Sequence, residues 1–337
     1  MTPHGSAVPP PVTVVMEAAE LWLPRLMGGV EQRLTGAVSA HGEALGGDAG
    51  ATLEAGGKRL RPMLVLLCAG PDAGAAAIRA ASAVELVHMA TLVHDDVLDE
   101  APIRRGRPTV LASSGRERAT AVGDLLLSRA FAELVDGDHA GAELDRALGA
   151  GRRVAMLATA SVALARGELA QRHDAFDLSI SPDRYLERCR LKTARLFECA
   201  CVIGRDDPGA DQELAAFGRE IGLAFQLLDD VLDVSGPVDR TGKARGTDLL
   251  DGTVTLPLII AREHDPGLAQ LDLRSLDESS AAAVCDRIAA TSALEQVRDG
   301  AQRRVELAKR ILAKAPIDAE QRELLSLVAD GVVERYS

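Results

Sequence analysis

An all-α fold, a helical bundle around a central cavity, is predicted by three features of this 337-residue sequence. Aromatic residues are only 2% while Ala and Leu dominate, which favours helices packed through small side chains over a β-sandwich. Apolar residues recur at helical turn spacing over long runs. No segment shows a clear period-2 alternation.

The elements follow in chain order. Residues 1–12, with Pro9, Pro10 and Pro11, are expected to be disordered. Residues 13–337 are expected to form one all-α domain. Thr13 to Leu45 reads as helical, with Leu21, Leu23, Leu26, Val30 and Leu34 near turn spacing, and Gly46 to Gly50 as a break. Gly56 to Pro62 is a turn opening into the apolar run Met63 to Ala69. Ala76 to Asp99 reads as one long helix, and Ala101 to Ser114 as a basic, Pro-containing loop. Helices are expected over Ala119–Leu134, Leu144–Gln171, Pro182–Ile203 and Gln212–Val234. A polar loop, Ser235 to Gly252, precedes helices over Leu256–Glu263, Ser279–Ala290, Thr291–Lys314 and Ala319–Glu334. Two long loops in a compact domain point to function.

Composition excludes several classes. The net charge is 38 − 50 = −12 with few aromatics, the opposite of a nucleic-acid binder. The five cysteines, Cys68, Cys189, Cys199, Cys201 and Cys285, include no CxxC pair and read as reduced thiols in a helical core. Met1 to Pro11 lacks the features of a secretory signal, and no run reaches the ~18 apolar residues of a membrane span. The expectation is a cytoplasmic protein with no transmembrane segment.

The chemistry is concentrated in a pentapeptide, Asp-Asp-Val-Leu-Asp, that occurs at Asp95–Asp99 and again at Asp229–Asp233. Residues four apart lie only about 40° apart around a helix, so Asp95 and Asp99 share a face, as do Asp229 and Asp233. Negative charge at a helix C-terminus opposes the macrodipole unless a cation compensates it. Mg²⁺ prefers one or two carboxylates plus substrate phosphates to an all-protein cage. A site for Mg²⁺ and a diphosphate is therefore expected. His88 lies two turns before Asp95 on the same side. Arg104, Arg105 and Arg107 follow directly, and Arg suits bidentate phosphate recognition. Gly56-Gly57-Lys58-Arg59-Leu60-Arg61 supplies a second basic set, suggesting two separate diphosphates. Gln226, Asp229, Asp230 and Asp233 fall at i, i+3, i+4 and i+7, a polar face on an otherwise apolar helix. Lys243 and Arg245 sit in the loop after it, which could close over phosphates.

These segments resemble the trans-type isoprenyl diphosphate synthases, the polyprenyl synthetase family. The resemblance runs from about Leu53 to Pro257. It rests on GGKRLRP at 56–62, HDDVLDEAPIRRGRPT at 94–109, GD at 123–124, GEL at 167–169, KTARLF at 192–197, FQLLDDVLD at 225–233 and GKARGTDLLDGTVTLP at 242–257.

The resemblance implies the isoprenoid-synthase bundle and a head-to-tail condensation of isopentenyl diphosphate with an allylic prenyl diphosphate. It implies three Mg²⁺ ions with substrate bound, held by Asp95 and Asp99 on one side and Asp229 on the other. Asp96, Asp230 and Asp233 would act through water or supporting contacts. Arg104, Lys192 and Lys243 would hold the allylic diphosphate; Lys58, Arg61, His88 and Arg105 would hold isopentenyl diphosphate. Thr193 and Gln226 would sit near the developing carbocation. A homodimer is implied as well. The sequence departs from the family at Thr253, where a Lys is frequent, and over Leu111 to Ser114, which lacks an aromatic. In this family, bulky residues four and five positions before the first Asp limit product length. Here they are the small Thr91 and Ala90, leaving deeper residues such as Val87, Leu86 and Val84 to form the floor. A product of geranylgeranyl length or longer is expected.

The competing readings are a class I terpene cyclase, a subunit of a heteromeric prenyl synthase and a Ca²⁺-binding structural bundle. The second Asp cluster and the paired basic segments argue against the cyclase, and a structural bundle would leave the paired basic loops unexplained. The complete set of clustered aspartates argues against a subunit that has lost its site.

Overall fold

A computed structural model describes residues 10–135, 143–236 and 245–334. Among these residues the regular structure is all helical apart from a hairpin of two two-residue strands. The helices are α1 (Pro10–Ala18), α2 (Leu23–Ser39), α3 (Gly42–Glu54), α4 (Leu60–Ala69), α5 (Ala75–Leu98), α6 (Val110–Ser114), α7 (Arg116–Val135) and α8 (Glu143–His173). They continue as α9 (Pro182–Cys189), α10 (Arg195–Ile203), α11 (Asp211–Ser235), α12 (Thr247–Leu250), α13 (Leu256–His264), α14 (Glu278–Ala289), α15 (Ala293–Leu312) and α16 (Ala319–Glu334). Strands β1 (Ile103–Arg104) and β2 (Arg107–Pro108) pair antiparallel within the basic loop, Arg104 opposite Arg107.

The two helices that end in aspartates are central. Helix α5 is apolar on every side, burying Ala80, Ala83, Val84, Val87 and Ala90 among others, as expected of an interior helix. It packs against α7, α4 and α2, whereas α11 packs against α15 and α10. Its 24 residues meet the length and hydropathy of a membrane span, yet 67% of its most apolar stretch is buried inside the protein. Small residues set the close approach of α11 to α10 and the turn just before it: a Cβ on Gly222 would lie 2.7 Å from Ala194 Cα, and one on Gly218 would lie 2.6 Å from the Phe197 carbonyl. Any larger residue there would push the helices apart.

Several boundaries differ from the expected ones. The first helical stretch is divided into α1, α2 and α3, and α3 runs through Gly46–Gly50, where a break was expected. Glycine weakens a helix by only about 1 kcal/mol each, and packing of the buried Ala49 and Leu53 offsets this. Helix α1 begins at Pro10, inside the stretch expected to be disordered; residues 1–9 lie outside the described residues. Proline suits a first helical turn, where its missing N–H has no partner to lose. The expected helix Pro182–Ile203 is continuous but contains a π-helical turn at Arg190–Ala194.

Candidate active site

The C-terminal turn of α5 carries the first aspartates. Asp96 faces inward, 5% exposed, and accepts a 2.7 Å hydrogen bond from Arg104 Nε. Asp95 and Asp99 face the opposite way, toward α8 and the π turn. Lys192 Nζ lies 3.9 Å from Asp95 and 2.5 Å from Glu168. Arg172 pairs with Asp99 and, at 3.1 Å, with Glu168. Burial pushes the Asp95 carboxyl up to about 6, opposed by Lys192 and reinforced by Glu168 and Asp99. Two cations on α8 and the π turn thus partly neutralise this carboxylate face, and Glu168 ties them together.

The π turn places Lys192 and Thr193. A π turn inserts an extra residue and is common at functional sites. It is held against α8, where a Cβ on Gly167 would lie 2.5 Å from the Lys192 nitrogen. Glycine in the GEL segment is therefore required by close packing. Thr193 Oγ1 donates to Gln226 Oε1 at 2.7 Å, and Gln226 Nε2 donates to Asp230 Oδ1 at 2.7 Å. The phenol of Tyr185 completes the chain, donating to Asp230 Oδ2 at 2.6 Å. Burial, and secondarily Asp248, raises the Asp230 carboxyl to about 8, against the lowering effect of its two donors. Asp233 Oδ2 accepts from the Asp248 N–H at 3.3 Å, fixing the start of α12.

Between these faces lies a cavity of about 340 Å³ whose lining includes Asp99, Lys192, Thr193, Gln226, Asp229 and Asp233. Asp248, Asp251 and Thr253 also line it, so the position where the family often has Lys belongs to the cavity wall here. Lys243 lies outside the described residues.

The basic segments converge beside α5. Arg59 adopts a left-handed backbone, φ 48°, and pairs with Glu31 at 2.7 Å and with the buried Glu85 at 2.9 Å. Arg105 is also left-handed, φ 52°. A Cβ on Gly57 would meet Arg59 Nη1 at 2.8 Å and Arg105 Nη1 at 3.2 Å, so the Gly-Gly turn lets the two loops meet. Arg61 lies over the Phe197 ring, 4.6 Å from its centroid. Burial lowers its guanidinium to about 10, against the attraction of Glu85 and Asp229. His88 is held well below its usual range by burial and by Arg61, Arg105, Arg104 and Arg59. Lys58 sits in the same turn. Ala90 and Val87 are each 1% exposed on α5, and Thr91 turns its hydroxyl back to the His88 carbonyl at 2.8 Å.

Asp99, at the end of α5, and Asp229, Asp230 and Asp233 of α11 thus line one cavity together with Lys192, and Lys192 links Asp95 to it. Among the described residues, no three His, Cys, Asp or Glu converge on one metal position. Hard oxygen donors placed on two walls suit Mg²⁺, which shares its coordination with phosphate and water, better than a metal needing a complete protein cage.

Tyr185, Arg172, Glu85 and Asp248 join the site without having been expected there from the sequence. Arg172 carried a weak signal, four residues after Glu168 in the GEL segment. Tyr185 and Glu85 carried none, because their partners are 45 and 26 residues away.

The sequence pattern of the family described as polyprenyl synthetase matches residues 45–290, and this chain belongs to that family. It is a prenyltransferase of the polyprenyl diphosphate synthase type. It is 36% identical over 307 residues to heptaprenyl diphosphate synthase component 2 of Geobacillus stearothermophilus, covering 89% of this chain and 92% of the relative. It is 33% identical to octaprenyl diphosphate synthase of Escherichia coli, covering 83% of this chain and 86% of the relative. A crystal structure of a polyprenyl synthase from Caulobacter crescentus, complexed with calcium and isoprenyl diphosphate, superposes with a TM-score of 0.84 at 32% identity, over 97% of this chain and 98% of that one.

Proposed function

We propose that this chain condenses isopentenyl diphosphate head-to-tail with an allylic prenyl diphosphate, using Mg²⁺, to make an all-trans polyprenyl diphosphate of geranylgeranyl length or longer. The reading is carried by the opposition of the α5 and α11 aspartates across one cavity, with the Lys58–Arg61–His88–Arg105 set alongside. Asp95, Asp99 and Asp229 would hold the ions, three of them with substrate bound. When bound, Mg²⁺ supplies positive charge where the departing diphosphate gains its negative charge.

The residues have separable tasks. Lys192, Arg104 and Lys243 bind the allylic diphosphate, and bond cleavage leaves the C–O electron pair on it. Arg61, Arg105, Lys58 and His88 orient the second diphosphate so that its double bond faces the allylic carbon. Thr193 and Gln226 present oxygens beside that carbon, fixed by Tyr185 and Asp230. New C–C bond formation is followed by loss of a proton, for which the released pyrophosphate is an available base. Asp96 keeps Arg104 aimed, and Asp233 anchors the segment at Asp248. The small Ala90 and Thr91 and the deeper Val87 favour long products, in keeping with the heptaprenyl and octaprenyl names of two relatives. A homodimer in the cytoplasm is part of the proposal.

Pyrophosphate release separates the readings. A synthase releases it only when both substrates are present; a cyclase releases it from the allylic substrate alone. One relative is named as a component, which favours a second reading, a catalytic subunit needing a partner. Turnover by the purified chain by itself excludes that reading, and absence of turnover restored by a second protein would establish it.

A further inference from the structure

Three neighbouring residue pairs form both sides of one wall. Tyr185, Gln226 and Thr255 line the aspartate cavity, while Leu186, Leu227 and Leu256, each the next residue in the chain, line a second concavity behind it. This groove, of about 750 Å³, lies among α9, α11, α13 and α15. Its size falls within the roughly 300–1,000 Å³ of small-molecule sites. The floor is apolar, Leu186, Leu227, Leu256 and Ile260, with the exposed Leu307 at one edge.

The rim is basic. Helix α15 carries five basic and three acidic residues, Arg298, Arg303, Arg304, Lys309 and Arg310 against Glu295, Asp299 and Glu306, a net +2 in a chain of −12. Arg304 is neutralised by Glu220 at 2.8 Å. Arg303 and Arg310 line the groove and have no ion-pair partner among the described residues. Asp299 is the one acid at the rim without a basic partner. Arg303, Arg304 and Arg310 against Glu220 and Asp299 leave the lining a net +1, and an apolar trough with an excess of guanidinium at its edge is complementary to an amphiphile with an anionic head.

We propose that this groove is a second, metal-independent binding site for a prenyl diphosphate, the amphiphile this chain is read as making. Its head lies at Arg303 and Arg310, and its tail covers Leu186, Leu227 and Leu256. The proposal rests on the synthase reading for the identity of the ligand. Because the wall is shared, occupancy there bears on Tyr185, Gln226 and Thr255, so product bound in the groove inhibits without competing for the allylic site.

The test uses the full chain and geranylgeranyl S-thiolodiphosphate, an unreactive probe, titrated calorimetrically with Mg²⁺ and again in EDTA. Two equivalents are expected with Mg²⁺ and one in EDTA. Arg303→Glu with Arg310→Glu should weaken the EDTA-resistant equivalent at least tenfold. Leu307→Asp, at an exposed position, should weaken it while leaving binding of inorganic pyrophosphate unchanged. A single equivalent abolished by EDTA, or EDTA-resistant binding indifferent to both variants, overturns the groove. Arginine-dependent pelleting with phosphatidylglycerol vesicles, without the second equivalent, assigns the rim to a membrane surface and also overturns it. Loss of only the metal-dependent equivalent would contradict the synthase reading instead, so the two failures are distinguishable.

Discussion

Tyr185 and Asp230 are 45 residues apart and joined by a 2.6 Å hydrogen bond inside the protein, both nearly inaccessible to water. That bond fixes the carboxylate that in turn fixes Gln226, whose oxygen receives the Thr193 hydroxyl. Tyr185→Phe removes the phenol alone. Leaving a buried acceptor without its donor costs about 1–3 kcal/mol. If about 1.4 kcal/mol of that falls on the reacting geometry, kcat drops about tenfold. The expected result in steady-state kinetics is a lower kcat with the KM for isopentenyl diphosphate nearly unchanged, because the Arg61–His88 set is untouched.

Arg172 pairs with Asp99, one of the carboxylates proposed to hold an ion, and is shared with Glu168. Arg172→Leu removes a competitor for the same carboxylate. Apparent affinity for Mn²⁺, followed by its paramagnetic effect on water relaxation, should rise severalfold. A fall would show that Arg172 supports the ion site and does not compete with it.

Metal stabilisation should depend on pH with a definite sign. The Asp95 carboxyl is raised from 3.8 to about 6 in the fold. A raised carboxyl favours the folded state below its unfolded value and loses that contribution as pH rises through about 6. Above that pH the buried carboxylate is charged and destabilising, so a bound cation relieves more strain. The increment in melting temperature from Mg²⁺ should therefore be larger at pH 7.5 than at pH 5. Equal increments at both would remove Asp95 from the ion site.

Ala90→Phe places a ring where 1% of the present side chain is exposed, one turn above the aspartates. Overpacking a dense core typically costs about 1–3 kcal/mol, so thermal denaturation should accompany the assay. Among folded protein, the product distribution should shift to shorter chains. An unchanged distribution would place the tail elsewhere than along Ala90, Thr91 and Val87.

The legible part of the molecule was local. Turn-spaced apolar residues revealed α5 and α11, and the i, i+3, i+4, i+7 spacing put Gln226, Asp229, Asp230 and Asp233 on one helix. The Gly57 turn, with Lys58, Arg59 and Arg61, was legible as an anion site only beside the second basic segment at Arg104 and Arg105, since Gly-Lys-Arg turns are common in loops. Long-range pairing was not legible. Glu85 lies in an apolar run, and nothing near it indicates that Arg59 reaches back to it. The π turn was hidden because Arg190–Ala194 has ordinary helical propensity; its extra residue is stabilised by packing against Gly167 and Ala194–Gly222 contacts. Gly46 to Gly50, inside α3, was read as a break because its glycines have low helix propensity, a weak local signal that tertiary burial overrides.

The most direct test of the central claim is the mass of the lipid made by the purified chain. Isopentenyl diphosphate and Mg²⁺ would be supplied with five-, ten-, fifteen- or twenty-carbon allylic primers, with an EDTA control. The account predicts prenyl diphosphates lengthened by whole five-carbon units, ending at twenty carbons or more, and no elongation in EDTA. Cyclised hydrocarbons from the allylic substrate alone, or elongation undiminished by EDTA, would contradict it.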